Sequence, residues 1–250
     1  MQQQQILGID IGGSGIKGAI VEVATGQLLT ERIRLETPQP ATPTAVAATV
    51  SKLTDQLEWY NKPIGCGFPA IIQRGYARSA ANVDDSWLET GVHQLLTHAT
   101  ACPVSVLNDA DAAGYAEMKF GVGKNEMGTV LLITIGTGLG SALFVDGQLV
   151  PNTELGHLKL SGDIAENYAS NRVRKIEELS WKEWGSRFNI YLQHLERLFT
   201  PDLFILGGGS SKKYEKFAKY LTTSARIAPA ELLNNAGIVG AALYAYEQQH

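Results

Sequence analysis

Apolar residues in this chain come in short runs that end in glycine. Ile6-Leu7-Gly8-Ile9-Asp10-Ile11 is the first, closed by Gly12-Gly13-Ser14-Gly15. It predicts a buried strand and a turn, then a second strand over Gly18–Val23, a turn at Ala24-Thr25-Gly26 and a third strand starting over Gln27–Ile33. The pattern recurs further on. Val130–Ile135 is apolar, Gly136-Thr137-Gly138-Leu139-Gly140 follows, and Ser141–Val145 is a second strand. Asp146-Gly147 is a strong hairpin signal, and Gln148-Leu149-Val150 begins a third strand. Gly12 and Gly136 are 124 residues apart, about half the chain. The two stretches therefore read as an internal repeat, each copy opening a lobe on a three-stranded meander.

After each meander, helical and strand patterns alternate. Ala41–Trp59 and Trp87–Ala99 read as helices, Ile64–Phe68 and Val104–Leu107 as strands. In the second half Trp181–Phe199 and Ser211–Thr222 read as helices, Leu203–Leu206 as a strand, and Asn234–Gln248 as a small-residue helix that ends the chain. The expectation is an α/β protein of two lobes with a central cleft. Ligands of such sheets sit at the carboxyl ends of strands, which is where the glycine clusters fall.

Composition narrows the class. The 250 residues are 44% apolar and 18% charged, enough to bury a core. A net charge of −4 argues against a protein that mainly grips nucleic acid. No apolar run approaches the roughly 20 residues that span a bilayer, and the Met1–Gln5 start lacks signal-peptide features, so a cytoplasmic protein is expected. Two distant cysteines, Cys66 and Cys102, suit neither a disulfide framework nor a cysteine zinc site. The 26 glycines, about 10% against a usual ~7%, are the informative excess.

Several groups are able to carry chemistry. Asp10, Gly12, Gly13, Ser14 and Lys17 combine a glycine turn that aims backbone N–H groups at one place with a hydroxyl, an ammonium and a carboxylate suited to a water-mediated magnesium ion. The spacing is not a Walker loop, and a strand follows where a dinucleotide fingerprint needs a helix. Asn108-Asp109 ends a strand; Asp109 suits a general base, or alternatively a helix N-cap. Gly136, Thr137 and Gly138 form a second phosphate cradle. Glu154 and His157, either side of Gly156, suit a polyol. Gly207-Gly208-Gly209 is expected to open a helix, whose N-terminus attracts phosphate.

In this order, these motifs resemble the sugar kinases of the ROK family (repressors, unknown frames and kinases), within the actin-like ATPase superfamily. The resemblance runs from Asp10 to Lys17 through Gly67-Phe68-Pro69-Ala70, Asn108-Asp109-Ala110-Asp111, Gly136 to Gly140 and Glu154 to His157 to Gly207–Gly209. The spacing Asn152-Thr153-Glu154-Leu155-Gly156-His157, then Ala165-Glu166, then Ser180-Trp181-x-x-Trp184 resembles the polyphosphate-dependent glucokinases of that family.

The resemblance implies an actin-like (ribonuclease H-like) duplicated fold. Its first lobe would be residues 1–108 completed by a returning C-terminal helix, 234–250, and its second residues 109–233. It implies that Asp109 takes the proton of the glucose 6-hydroxyl, with Asn82, Asn108, Glu154, His157 and Glu166 holding the other hydroxyls. Asp10, Gly12, Gly13, Ser14, Lys17, Gly136, Thr137, Gly138, Gly208 and Gly209 would line the phosphoryl-donor side. The donor would be inorganic polyphosphate, with ATP as a second donor, Mg2+ would screen its phosphates, and the protein would be a homodimer. Many family members carry a cysteine zinc motif after the Glu-x-Gly-His segment; Leu158–Asn171 has no cysteine, so neither zinc nor another protein-bound metal is expected. A polyanionic donor needs a cationic track, for which Lys17, Arg172, Arg174, Lys175, Lys182, Lys212 and Lys213 are candidates.

Competing readings are a strictly ATP-dependent hexose kinase acting on glucose, mannose or an N-acetylhexosamine, a non-catalytic sugar-binding protein, and a sugar-responsive repressor. The repressor needs a DNA-binding domain ahead of Ile6, for which five residues do not suffice. Neither nucleic acid nor membrane is an expected partner.

Overall fold

The computed structural model describes residues 4–80 and 83–249. Its strands follow the glycine-punctuated runs. β1 (Gln5–Gly12) and β2 (Gly15–Glu22) pair antiparallel with Asp10 opposite Lys17 and Gly12 opposite Gly15, which leaves a turn of only Gly13 and Ser14. The second strand thus begins at Gly15 rather than Gly18. The expected third strand is split, because β3 (Gln27–Leu28) and β4 (Ile33–Leu35) each pair with β2. Between them the Thr30 hydroxyl, rather than a main-chain carbonyl, accepts the Ile20 N–H at 3.1 Å. β5 (Ile64–Phe68) is buried along its whole length. After a short hairpin of β6 (Ile72–Gln73) and β7 (Tyr76–Ala77), β8 (Val104–Asn108) completes the parallel side of a sheet ordered β3-β2-β1-β5-β8.

This half holds three α-helices among the described residues. α1 (Pro43–Gln56) has proline in its first turn and turns Val46, Val50 and Leu53 inward. The helix expected from Trp87 is instead a 3₁₀ turn, Asp85–Trp87, followed by α2 (Val92–Thr100), because Glu89 at φ 61° breaks the run. Val46, Val50, Leu53 and Leu96 pack with Leu7, Ile9, Ile64 and Cys66 in one core. α3 (Asp109–Phe120) starts directly from the end of β8.

The described chain separates into two compact units, Met1–Ala116 with Asn235–His250, and Glu117–Asn234. The second unit repeats the first unit's topology. β9 (Thr129–Ile135), β10 (Leu139–Val145) and β11 (Gln148–Val150) form the meander, and β14 (Leu203–Gly207) and β15 (Arg226–Pro229) extend it in parallel. The order β11-β10-β9-β14-β15, two antiparallel contacts then two parallel, matches the first sheet pair for pair. Asp146 (φ 49°) and Gly147 (φ 76°) make the tight left-handed turn between β10 and β11 that their sequence signals.

Between the meander and the long helix lie β12 (Lys159–Leu160), β13 (Asp163–Ile164), α4 (Ala165–Ala169) and α5 (Asn171–Ile176), none of which periodicity reveals. α6 (Trp181–Phe199) opens on a Ser180/Glu183 capping box and buries Trp184, Phe188, Tyr191, Leu192 and Leu195. The helix expected over Ser211–Thr222 is absent. Two 3₁₀ turns, Ser211–Lys216 and Ala218–Tyr220, stand in its place, and the backbone leaves helical values at Lys213 and Phe217. The cause is the spacing of Tyr214, Phe217 and Tyr220. Every third residue faces the core, and that period suits 3.0 residues per turn better than 3.6.

α7 (Ala236–Glu247) belongs to the first unit and lies on β1, β2, β5 and β8. Glycine permits this contact. A Cβ on Gly8 would meet the Ile238 carbonyl oxygen at 2.0 Å, and one on Gly65 the Ala241 oxygen at 1.8 Å. Among the described residues no helix is long and apolar enough to cross a membrane.

Candidate active site

In the first unit, the turn between β1 and β2 is held by side chains that bind its carbonyls. Thr37 Oγ1 donates to the Gly12 oxygen, and the Arg34 guanidinium donates to the Ser14 oxygen at 2.6 Å. Tying these carbonyls leaves the turn less repulsive to an anion. Arg34 also occupies the space that a Cβ on Gly15 would need, so its charge lies over the turn. Lys17 is differently employed than the sequence suggests: its Nζ sits 3.1 Å from Asp10 Oδ2, the two being register partners across the hairpin. Arg34 is therefore a second cation at the turn, one that no motif signals.

At the end of β8, Asn108 Oδ1 accepts the N–H groups of Ala110 (2.8 Å) and Asp111 (3.1 Å). Asn108 thus caps α3. The Asn108 amide also donates to the Ala70 carbonyl at 3.2 Å, fixing the loop after β5. Asp109 is half-buried at the head of α3, beside Gly67 at the end of β5. Asn82 lies outside the described residues. A cavity of about 350 Å³ opens beside the turn, lined by Gly12, Gly13, Thr37, Phe68, Asp84 and Trp87 among others; it falls in the usual size range of small-molecule sites.

In the second unit, Glu154, His157 and Glu166 come together. Glu154 Oε2 lies 3.8 Å from His157 Nδ1. Burial pushes the Glu154 carboxyl up, His157 draws it down, and the charge of Glu166 pushes it up again. Gly156 lets this loop reach the sheet, since a Cβ there would stand 2.1 Å from the Leu139 oxygen. Glu166 Oε2 accepts the Leu139 N–H at 3.0 Å and fills the place of any side chain on Gly138. The carboxylate expected on a sugar thus also braces the second glycine turn. Tyr191 joins the group unannounced by any motif. It is buried, its hydroxyl has no hydrogen-bond partner among the described residues, and burial followed by Glu154 and Glu166 pushes its pKa up.

The second and third glycine clusters meet at the end of β9. Gly208 (φ 77°) lies against the Ile135 backbone, where a Cβ would be 2.6 Å from its nitrogen, and Ser210 N–H donates to the Ile135 oxygen at 3.3 Å. Thr137 is exposed, and open space surrounds Gly136 and Gly209. A phosphate-binding role for this corner rests on the turns themselves, because no α-helix starts there. Among the described residues no group of three or more His, Cys, Asp or Glu is arranged to hold a metal ion.

Comparison with known proteins gives this arrangement a context. The sequence model of the ROK family matches residues 6–172. The polyphosphate glucokinase of Mycobacterium tuberculosis is 46% identical over 242 residues, covering 96% of this chain and 91% of that protein. The crystal structure of an inorganic polyphosphate/ATP-glucomannokinase from Arthrobacter sp. strain KM superposes with a TM-score of 0.94 at 50% identity, covering 98% of this chain and 99% of that one. A ROK family glucokinase from Streptomyces griseus, solved with glucose and AMPPNP, shares the fold with a TM-score of 0.82 at 24% identity, over 97% and 99% of the two chains.

Proposed function

The chain belongs to the ROK family, and from that premise we propose that it transfers the terminal phosphoryl group of inorganic polyphosphate to the 6-hydroxyl of glucose. One observation carries this reading: the near full-length likeness to two kinases whose names specify polyphosphate. The Arthrobacter enzyme's name also specifies ATP and a mannose-type acceptor, which favours ATP as a second donor and mannose as a second sugar.

Asp109 is the general base. It receives the proton as the 6-oxygen bonds to the terminal phosphorus, and the shortened polyphosphate leaves. Asn108 caps α3 and so fixes the helix end from which Asp109 projects. Glu154, His157 and Glu166 hold the remaining hydroxyls, with Asn82 and the second amide N–H of Asn108 as further contacts. A half-buried carboxylate such as Glu154 accepts a hydroxyl bond strongly because little water competes. Gly12, Gly13, Ser14, Gly136, Thr137, Gly138, Gly208 and Gly209 receive donor phosphates through backbone and hydroxyl donors, and Lys17, paired with Asp10 beside the turn, and Arg34 supply charge.

Magnesium fits this set as an ion brought by the donor. Asp10 is half-buried beside the turn, its Oδ1 has no hydrogen bond among the described residues, and one carboxylate with phosphate oxygens is an ordinary Mg2+ environment. Bound there, the ion would screen the donor's negative charge. The reading places the enzyme in the cytoplasm as a homodimer, a mass that light scattering reads directly.

The test is Asp109→Asn. Loss of the base should lower kcat on the order of 10²–10⁴-fold while glucose still binds, measured by titrating sugar against the variant. Turnover near that of the unaltered enzyme would remove Asp109 from the mechanism.

A further inference from the structure

The segment after the third glycine cluster contains a threefold repeat: Lys213-Tyr214-Glu215, Lys216-Phe217-Ala218, Lys219-Tyr220-Leu221. The segment is two 3₁₀ turns interrupted at Lys213 and Phe217, and the aromatics, three apart, turn toward the core. Each aromatic of the repeat packs on the second unit's core, Phe217 fully buried against Trp184 and Trp181. Each lysine ahead of it is exposed. The aromatics thus anchor a short ridge that presents an exposed ammonium ahead of each anchor.

Three features suit this ridge to an anion. Among the described residues none of Lys212, Lys213, Lys216 and Lys219 is ion-paired, and Glu215 is the one acid in the stretch, in a chain of net charge −4. The charges are also gathered: Lys216 Nζ and the Arg174 guanidinium lie 5.9 and 4.3 Å from the centre of the same Trp181 ring, and Lys219 lies over Tyr220. Finally, the ridge begins at Gly208-Gly209-Ser210, where the Ser210 hydroxyl is buried without a hydrogen-bond partner among the described residues.

We propose that Lys213, Lys216 and Lys219 form the track that holds inorganic polyphosphate beyond the phosphate being transferred. The inference rests on the polyphosphate reading above and supplies its residues. Linear polyphosphate carries a charge on each unit and no base or ring to recognise. Mobile point charges on aromatic supports suit such a polymer better than a directional fork, because the chain must shift after each turnover. A nucleoside triphosphate has too few phosphates to follow the ridge to its end. Of the cations expected from sequence, Arg174 bonds Asn171 and the Leu179 carbonyl, Arg172 bonds Asn167, and Lys17 pairs with Asp10. Lys216 and Lys219 add to the expected set beside Lys213.

The experiment compares the unaltered enzyme with the triple variant Lys213→Gln, Lys216→Gln, Lys219→Gln, using long-chain polyphosphate, tripolyphosphate and ATP. For long chains the KM should rise on the order of tenfold at low salt with kcat retained. The log–log salt dependence of kcat/KM should flatten by about two, as roughly 0.7 per neutralised charge predicts for a flexible polyanion. The KM for tripolyphosphate and for ATP should stay where it was, and the triple Lys→Arg variant should restore long-chain behaviour. An unmoved long-chain KM and salt slope, in an enzyme that uses polyphosphate, overturns the track alone. Equal weakening with all three donors overturns it in favour of general damage to the donor site. If the unaltered enzyme turns over ATP but no polyphosphate, the donor reading falls and takes the track with it.

Discussion

Asn108 and Asp109 show how neighbouring residues divide labour. From sequence, Asp109 has two possible uses, base or helix cap, and the structure shows its neighbour Asn108 capping α3. The Asp10–Lys17 pair reverses the lesson. Both residues are legible in the glycine motif, but the antiparallel register that makes them partners is not fixed by composition. Arg34 and Tyr191 were invisible for a different reason: they reach their sites from strands and helices with no motif of their own. Glu117 offers a prediction at this scale. It is fully buried, and burial raises its carboxyl pKa, opposed by the N–H groups of Leu232, Glu231 and Val122. The folded chain then holds that proton at pH values where the unfolded chain has released it. Stability should therefore fall as pH climbs from the ordinary carboxylate range through the raised pKa, and stay lowered above it. Glu117→Gln does not titrate, so its Tm minus that of the unaltered chain should increase between about pH 4 and 7. A difference that shrinks with rising pH would show that the backbone donors outweigh burial.

Whole elements were legible where one periodicity governed them. α6 announces itself through Ser180, Glu183 and the spacing of Trp184, Phe188, Tyr191 and Leu195, and the β10–β11 turn through Asp146-Gly147. The segment after Gly209 misled because lysines and aromatics are compatible with an α-helix, and only packing against Trp184 selects the three-residue period. The short elements between Lys159 and Ile176 escaped because none is long enough to show a period. α7 appeared as a small-residue helix, yet the reason for small residues lies in the sheet, at Gly8 and Gly65. Gly65→Ala would drive a methyl into the Ala241 carbonyl and should cost about 1–3 kcal/mol or more in denaturant unfolding. Retention of full stability would mean that α7 does not seat at backbone distance on β5.

At the scale of the whole molecule, the repeat of glycine turn and meander was the strongest sequence signal, and the two sheets carry it with matching order and polarity along five strands, the first adding β4 on β2. Each unit carries its own glycine turn, Gly12–Gly15 in the first and Gly136–Gly140 in the second. The family and its polyphosphate-using members were legible through the Glu-Leu-Gly-His segment and the tryptophans of α6. The employment of individual cations was not, since it depends on which lysines face water and which are paired.

The central claim is phosphoryl transfer from polyphosphate to glucose. It is tested most directly by a coupled assay for glucose 6-phosphate with magnesium, comparing long-chain polyphosphate and ATP at matched terminal-phosphate concentration. The account predicts a higher kcat/KM with polyphosphate. Turnover confined to ATP would contradict the donor reading while leaving Asp109 and the sugar contacts standing, and no turnover of glucose with either donor would contradict the acceptor as well.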